Sequence, residues 1–208
     1  MISAREALER LLEGNRRFVA DVGDDGIVMT KTLQSDMVAD QEPFAIILGC
    51  SDSRVPAEIV FGQGLGDLFV IRVAGNVVAP SQIGSVEFAA ALFGTRLVVV
   101  LGHSTCGAVI GTLDELERPT DMRSPNLRSI VDRIRPSIEA LMEANPGLDR
   151  ATLIDRAVRA NIRASANQLR HGSQILEDLI EQSGLLVVGA EYSLETGVVD
   201  FFDGLPQG

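Results

Sequence analysis

Three short, almost unbroken apolar runs constrain this 208-residue chain more than anything else in it: Phe44–Leu48, Leu68–Val73 and Leu97–Leu101. Strands that are apolar at every position, rather than at every second one, are covered on both faces, as in a parallel sheet layered with helices. Between the second and third runs, Ser85–Leu92 has a helical pattern, so strand–helix–strand repeats. Leu185–Glu191, a turn at Glu195-Thr196-Gly197, and Val198–Phe202 then read as a hairpin at one sheet edge. At the other end of the chain, Ser3 and Glu6 have capping-box spacing. Leu8, Leu11, Leu12, Asn15, Phe18 and Val19 fall near one face at helical period. Gly and Asp break this helix over Asp21–Gly26, and a more polar helical stretch, Thr32–Ala39, completes an N-terminal helical arm of residues 1–40. Beyond a loop with Pro119 and Pro125, a long helical stretch runs to about Gln182, punctuated by Pro136, Pro146 and Gly147. The expectation is an α/β fold over residues 1–208: one domain, a mainly parallel central sheet, flanking helices and an antiparallel C-terminal edge hairpin.

Charge removes several classes of function. A net charge of -11 leaves no basic face for nucleic-acid phosphates or anionic lipid, so neither nucleic acid nor membrane is an expected partner. The apolar runs are far too short to span a bilayer, and MISAREALERLLEGNRRF lacks the apolar core of an export signal. Two cysteines without an export signal point to reduced thiols, and hence to the cytoplasm.

Ligands of parallel α/β sheets collect at the carboxyl ends of the strands. Cys50-Ser51-Asp52-Ser53-Arg54 follows directly on the first run, and His103-Ser104-Thr105-Cys106-Gly107 on the third. These segments hold both cysteines of the chain and one of its two histidines. Two thiolates and an imidazole suit zinc, and three protein ligands leave the fourth tetrahedral position open, as catalysis requires. Either cysteine alone would read as a small buried hydrophobe. Two at strand ends, one in His-x-x-Cys spacing, read as metal ligands provided the strands are neighbours. Asp52 and Arg54, two apart on an extended segment, face the same way. A guanidinium fork there holds the carboxylate ionised and aimed.

Competing patterns fit less well. A nucleophilic-cysteine phosphate loop needs Cys-x5-Arg, whereas Arg54 follows Cys50 after three residues. Cys-x-x-Cys redox chemistry is absent. Gly62-Gln63-Gly64-Leu65-Gly66 misses the G-x-G-x-x-G spacing and precedes a strand, so it reads as a turn. His171 reads as solvated and Tyr192 as structural.

Together, CSDSRV at Cys50–Val55, RVAGN at Arg72–Asn76, GSVEF at Gly84–Phe88 and GHSTCGAV at Gly102–Val109 resemble the β-class carbonic anhydrases. The likeness runs from the helix Ala7–Ala20 to the closing hairpin. It implies one zinc ion per chain on Cys50, His103 and Cys106, with Asp52 and Arg54 as the catalytic dyad. The implied reaction is reversible hydration of carbon dioxide to bicarbonate by zinc-bound hydroxide, the work of a zinc lyase. In some members the Asp swings onto the zinc in an inactive closed form. The resemblance further places Gln41, Phe69, Ala74, Phe88 and the Gly107 N–H at the substrate pocket, Phe88 where a partner-subunit aromatic contributes. It therefore implies a homo-oligomer, a dimer or a dimer of dimers, with the N-terminal helix embracing the partner. An inhibitory bicarbonate site in some bacterial members needs a Trp three residues before the first Cys. Ile47 stands there, and the chain has no Trp, although Arg72 and Tyr192 are present. That places the chain with the plant-like subgroup, without the inhibitory site. Two alternatives remain: a related zinc hydrolase acting on carbon disulfide, and a non-catalytic zinc-binding protein.

Overall fold

The computed structural model describes residues 2–21, 41–119 and 124–206. The polar stretch expected over Thr32–Ala39 lies outside them. Five strands form one sheet: β1 (Ala45–Gly49), β2 (Leu68–Arg72), β3 (Leu97–His103), β4 (Leu186–Tyr192) and β5 (Val199–Asp203). Their order is β2-β1-β3-β4-β5; β5 alone runs antiparallel to its neighbour. The apolar runs thus became parallel strands and the C-terminal pair the antiparallel edge. All positions of β1 and β3 are buried, as unbroken apolar strands require.

Connection handedness decides which face each helix covers. The chain leaves β1 for β2 through α2 (Ala57–Val60), then passes back over β1 to β3 through α3 (Pro80–Leu92). Right-handed crossovers in opposite directions put their helices on opposite faces. Accordingly Val60 joins α1 (Ala4–Asp21) in one apolar cluster, with Leu8, Leu11, Ile47, Val99 and Phe201. Val86 of α3 joins the other, with Ile46, Val98, Ile134 and Ile162. The latter face also receives α4 (Gly107–Glu117), α5 (Pro125–Ala144), α6 (Arg150–His171) and α7 (Gln174–Ser183). Each fully buried Leu or Ile in these layers contributes about 1.5–3 kcal/mol.

The helix α1 begins as its capping box predicts: the Glu6 N–H donates to Ser3 Oγ at 3.2 Å. Its apolar side lies on the sheet of its own chain, where buried Asn15 donates to the carbonyls of Val60 and Gly197 at 3.0 and 2.9 Å. Two expectations for the C-terminal half need correction. Pro136 does not punctuate the chain but sits inside α5. Burial of Val131, Ile134 and Ile138 along one side of that helix outweighs the roughly 3 kcal/mol a mid-helix proline costs. Conversely, the stretch running to Gln182 breaks at Gly172–Ser173, where Ser173 Oγ accepts from the Leu176 N–H at 3.2 Å and starts α7. Among the described residues, no helix is long and apolar enough to cross a membrane.

Candidate metal centre and active site

The strand order reverses direction between β1 and β3, where one chain path leaves for β2 and the other for β4. A crevice opens at such a switch point beyond the carboxyl ends of the strands. The two strands pair in register, Gly49 opposite Leu101, so Cys50, just past the end of β1, lies close to His103 at the end of β3. A two-residue turn with Thr105 at φ 53° then brings the chain into α4, with Cys106 at its N-cap. Consequently the sulfurs of Cys50 and Cys106 and a ring nitrogen of His103 all lie within 4.8 Å of one another, and all three residues are buried.

This donor set fits a metal ion. A tetrahedral centre with metal–sulfur bonds of about 2.3 Å holds its sulfurs roughly 3.8 Å apart. Here Sγ of Cys50 and Sγ of Cys106 are 4.0 Å apart. The Nδ1 of His103 lies 3.0 Å from the Ser104 carbonyl, which accepts its proton and leaves Nε2 as the lone-pair atom. That Nε2 is buried with no hydrogen-bond partner, a costly arrangement that a metal ion relieves. The hydrogen bond shared with Cys106 pulls the Cys50 thiol down to about 4 against burial, and the Gly75 N–H assists from 3.4 Å. Cys106 is pushed up in turn, first by that bond and then by burial.

Beside the triad, Asp52 is gripped by Arg54 through three bonds. Nε donates to Oδ1 at 2.9 Å, Nη2 to Oδ2 at 2.7 Å, and the backbone N–H to Oδ1 at 3.0 Å. The Arg54 guanidinium holds the Asp52 carboxyl well below the usual carboxylate range. Oδ2 lies 3.8 Å from Nε2 of His103. Ionised, aimed and beside the orphaned nitrogen, the carboxylate can accept a proton or a hydrogen bond from a group seated on the triad.

Among the other residues singled out from the sequence, Ala74 precedes Gly75 in the turn against Cys50, and Gly107 opens α4 after Cys106. Phe69 and half-exposed Phe88 meet with ring centroids 6.2 Å apart, and both touch Phe93. Gln41 is exposed ahead of β1. A polar cavity of about 620 Å³ opens beside Arg54, lined among others by Ser104, Thr105, Arg159 and Glu191. Gln41, Phe69, Ala74 and Phe88 do not line it. The Gly62–Gly66 stretch is indeed a turn, and His171 is exposed at the end of α6.

Sequence reasoning missed the residues that hold the loops. Arg72 donates from Nε to the Cys50 carbonyl at 3.1 Å and from Nη2 to the Asp52 carbonyl at 2.5 Å. The motif RVAGN contained both Arg72 and Gly75, but nothing in it showed which atoms they would grip.

Fold and site together define a class: a mainly parallel α/β protein with a two-cysteine, one-histidine centre at its switch point. Residues 45–199 match the family model described as Carbonic anhydrase, and the chain belongs to the β-class carbonic anhydrases. It is 37% identical over 191 residues to Carbonic anhydrase 2 of Mycobacterium tuberculosis, covering 92% of this chain and 89% of that one. To the Carbonic anhydrase of Mycolicibacterium smegmatis it is 38% identical over 197 residues, covering 93% and 91%. The crystal structure of the β-carbonic anhydrase CafA of Aspergillus fumigatus shares the fold, with a TM-score of 0.75, 24% identity, and 96% and 92% of the two chains covered. The family's reaction, hydration of carbon dioxide, makes the chain an enzyme of the lyase type.

Proposed function

We propose that this chain hydrates carbon dioxide reversibly to bicarbonate and a proton at a single zinc held by Cys50, His103 and Cys106, with Asp52 and Arg54 as its catalytic pair. The observation that carries the reading is the threefold grip of Arg54 on Asp52, which sets an ionised carboxylate 3.8 Å from the free nitrogen of His103. A bound zinc supplies a Lewis acid that activates water at neutral pH. Asp52 Oδ2 accepts a hydrogen bond from the attacking water and fixes its direction. Arg54 keeps that oxygen unprotonated and, by holding both carboxylate oxygens, would keep Asp52 off a metal held by the triad. The Gly107 N–H, at the first position of α4 next to Cys106, steadies the developing negative charge. Phe69 and Ala74 supply apolar lining for carbon dioxide, and Gln41 a polar contact to it.

The apolar ridge of Phe88, 51% exposed, and Leu92, 63% exposed, is the surface a second copy covers, so the working unit is at least a dimer. Ile47, fully buried in β1 where the inhibitory site needs Trp, supports the plant-like subgroup. The acidic chain with two free thiols works in the cytoplasm.

Stopped-flow hydration on protein of measured zinc content tests the reading. Asp52→Asn should keep its zinc and lose activity by about 10²-fold or more. Full activity in that variant sinks the role of Asp52. Turnover of carbon disulfide without carbon dioxide hydration favours the hydrolase alternative. Zinc binding with neither activity favours a non-catalytic protein.

A further inference from the structure

Asn161 is a buried amide on α6, 2% exposed, that no step above uses. Its Nδ2 donates to the carbonyl of Gly75 at 2.8 Å, and the Gly75 N–H donates to Cys50 Sγ at 3.4 Å. Glycine has the least conformational preference of any residue, so the direction of its N–H is set by whatever holds the rest of it. Gly75 adopts a φ of 68°. On its C-terminal side, the Asn76 N–H donates to the Val73 carbonyl at 3.0 Å. Packing confines it too, since a Cβ there would lie 2.8 Å from Ile134 Cδ1 and 3.0 Å from Ala108 Cβ. Only Asn161 grips its carbonyl among the hydrogen bonds of the described residues.

We propose that Asn161 is a positioning residue of the metal centre: by anchoring the Gly75 carbonyl it holds the Gly75 N–H on Cys50 Sγ, and so sets how much charge that sulfur donates to the ion. The inference rests on the reading of Cys50 as a zinc ligand. A hydrogen bond to a ligand sulfur withdraws electron density from it, and groups behind the ligands commonly govern affinity by 10–100-fold.

Cobalt(II) in place of zinc makes this visible, because a cobalt–thiolate bond gives a charge-transfer band in the near ultraviolet. Wild-type protein should show the band. Asn161→Ala should move it to lower energy, as the sulfur grows richer in charge, and, because the turn that positions Cys50 is no longer held, should weaken cobalt affinity in chelator competition by about tenfold or more. Ile162→Val loosens the same helix without touching the amide, so it should lower the Tm and leave the band in place. Asn161→Ser, which keeps a shorter donor, should fall between wild type and Ala, and it carries the test by itself if Asn161→Ala does not fold. A wild-type band position and affinity in Asn161→Ala or Asn161→Ser overturns the inference. So does an equal band shift in Ile162→Val. Absence of any sulfur-to-cobalt band in wild-type protein sinks instead the reading of Cys50 as ligand.

Discussion

Replacing Gly75 by Ala is the sharpest single perturbation of the site's framework, and its magnitude follows from the geometry. At φ 68° a residue with a Cβ sits in the left-handed region, which costs about 1–2 kcal/mol. The new Cβ would also lie 2.8 Å from Ile134 Cδ1 and 3.0 Å from Ala108 Cβ. The end of Ile134 can rotate, but Ala108 is fixed to the first turn of α4 and cannot yield alone. Overpacking of this kind adds about 1–3 kcal/mol. Ala also restricts the unfolded chain, which returns about 0.4–1 kcal/mol. The net expectation is a loss of about 1–4.6 kcal/mol. Urea unfolding followed by circular dichroism should then show a midpoint lowered by on the order of 1 M. The measurement belongs in EDTA at one fixed protein concentration, because both metal binding and subunit association stabilise the folded chain by mass action. A second arm isolates the clash. Ile134→Val deletes the obstructing methyl and alone should cost about 0.5–1.5 kcal/mol. In the Gly75→Ala background it should cost less, or restore stability, giving a coupling of about 0.5 kcal/mol or more. A Gly75→Ala loss below about 0.5 kcal/mol would refute the backbone argument. Strict additivity with Ile134→Val would refute the steric one.

Removing a ligand should remove the metal: Cys50→Ser and His103→Ala are expected to purify with almost no zinc, and a wild-type content in either would show that the ion sits elsewhere. Arg159→Leu should leave the buried carboxyl of Glu191 without its ion-pair partner; its side chain is 8% exposed and its Oε2 lies 2.8 Å from Arg159 Nε. Burial pushes that carboxyl above its usual range, and Arg159 opposes the push. In the variant the folded state therefore holds a proton that the unfolded chain releases near pH 4, so stability falls as pH rises from there. The deficit relative to wild type should be small at pH 4 and reach about 1–3 kcal/mol at pH 7, below the value for a fully buried pair because Arg159 is one-third exposed. Equal deficits at both pH values in urea titrations would count against this account.

What the sequence disclosed and what it hid divide along a physical line. Strands β1 and β3 were legible because burial on both faces leaves no polar position in a run of five residues. The Cys50, His103 and Cys106 cluster was legible because its members stand at the ends of those runs. The break at Gly172–Ser173 was overlooked because helical periodicity continues through it, although Gly172 ending one helix and Ser173 capping the next are both signals. Pro136 misled in the opposite direction, because one proline's local cost is smaller than the burial of the helix face around it. Asn161 was beyond reach for another reason: its partner Gly75 is 86 residues away, and only the packing of α6 over the sheet brings them together. A polar Asn on a largely apolar helical stripe was the available signal, and buried Ser165 on the same stripe carries it too.

The site joins two halves held by different forces. Cys50 and His103 take their positions from neighbouring strand ends, and Cys106 from the start of α4, so the ladder of β1 and β3 fixes the ligand half before any ion arrives. Asp52 belongs to no element. Arg54, whose side chain is 58% exposed, grips its carboxylate, and Arg72 grips its carbonyl. Exposed ion pairs are individually weak and screened by salt, whereas ladder hydrogen bonds under a buried face are neither. Changes at Arg54 should therefore disturb how the substrate water is aimed while the zinc remains. Changes within β1 or β3 cannot spare either. On the proposed reading the metal would be held by the core of the fold and reactivity set from a surface loop, so variants of Asp52 and Arg54 should lose activity at full zinc content, and a loss of zinc in them would count against it.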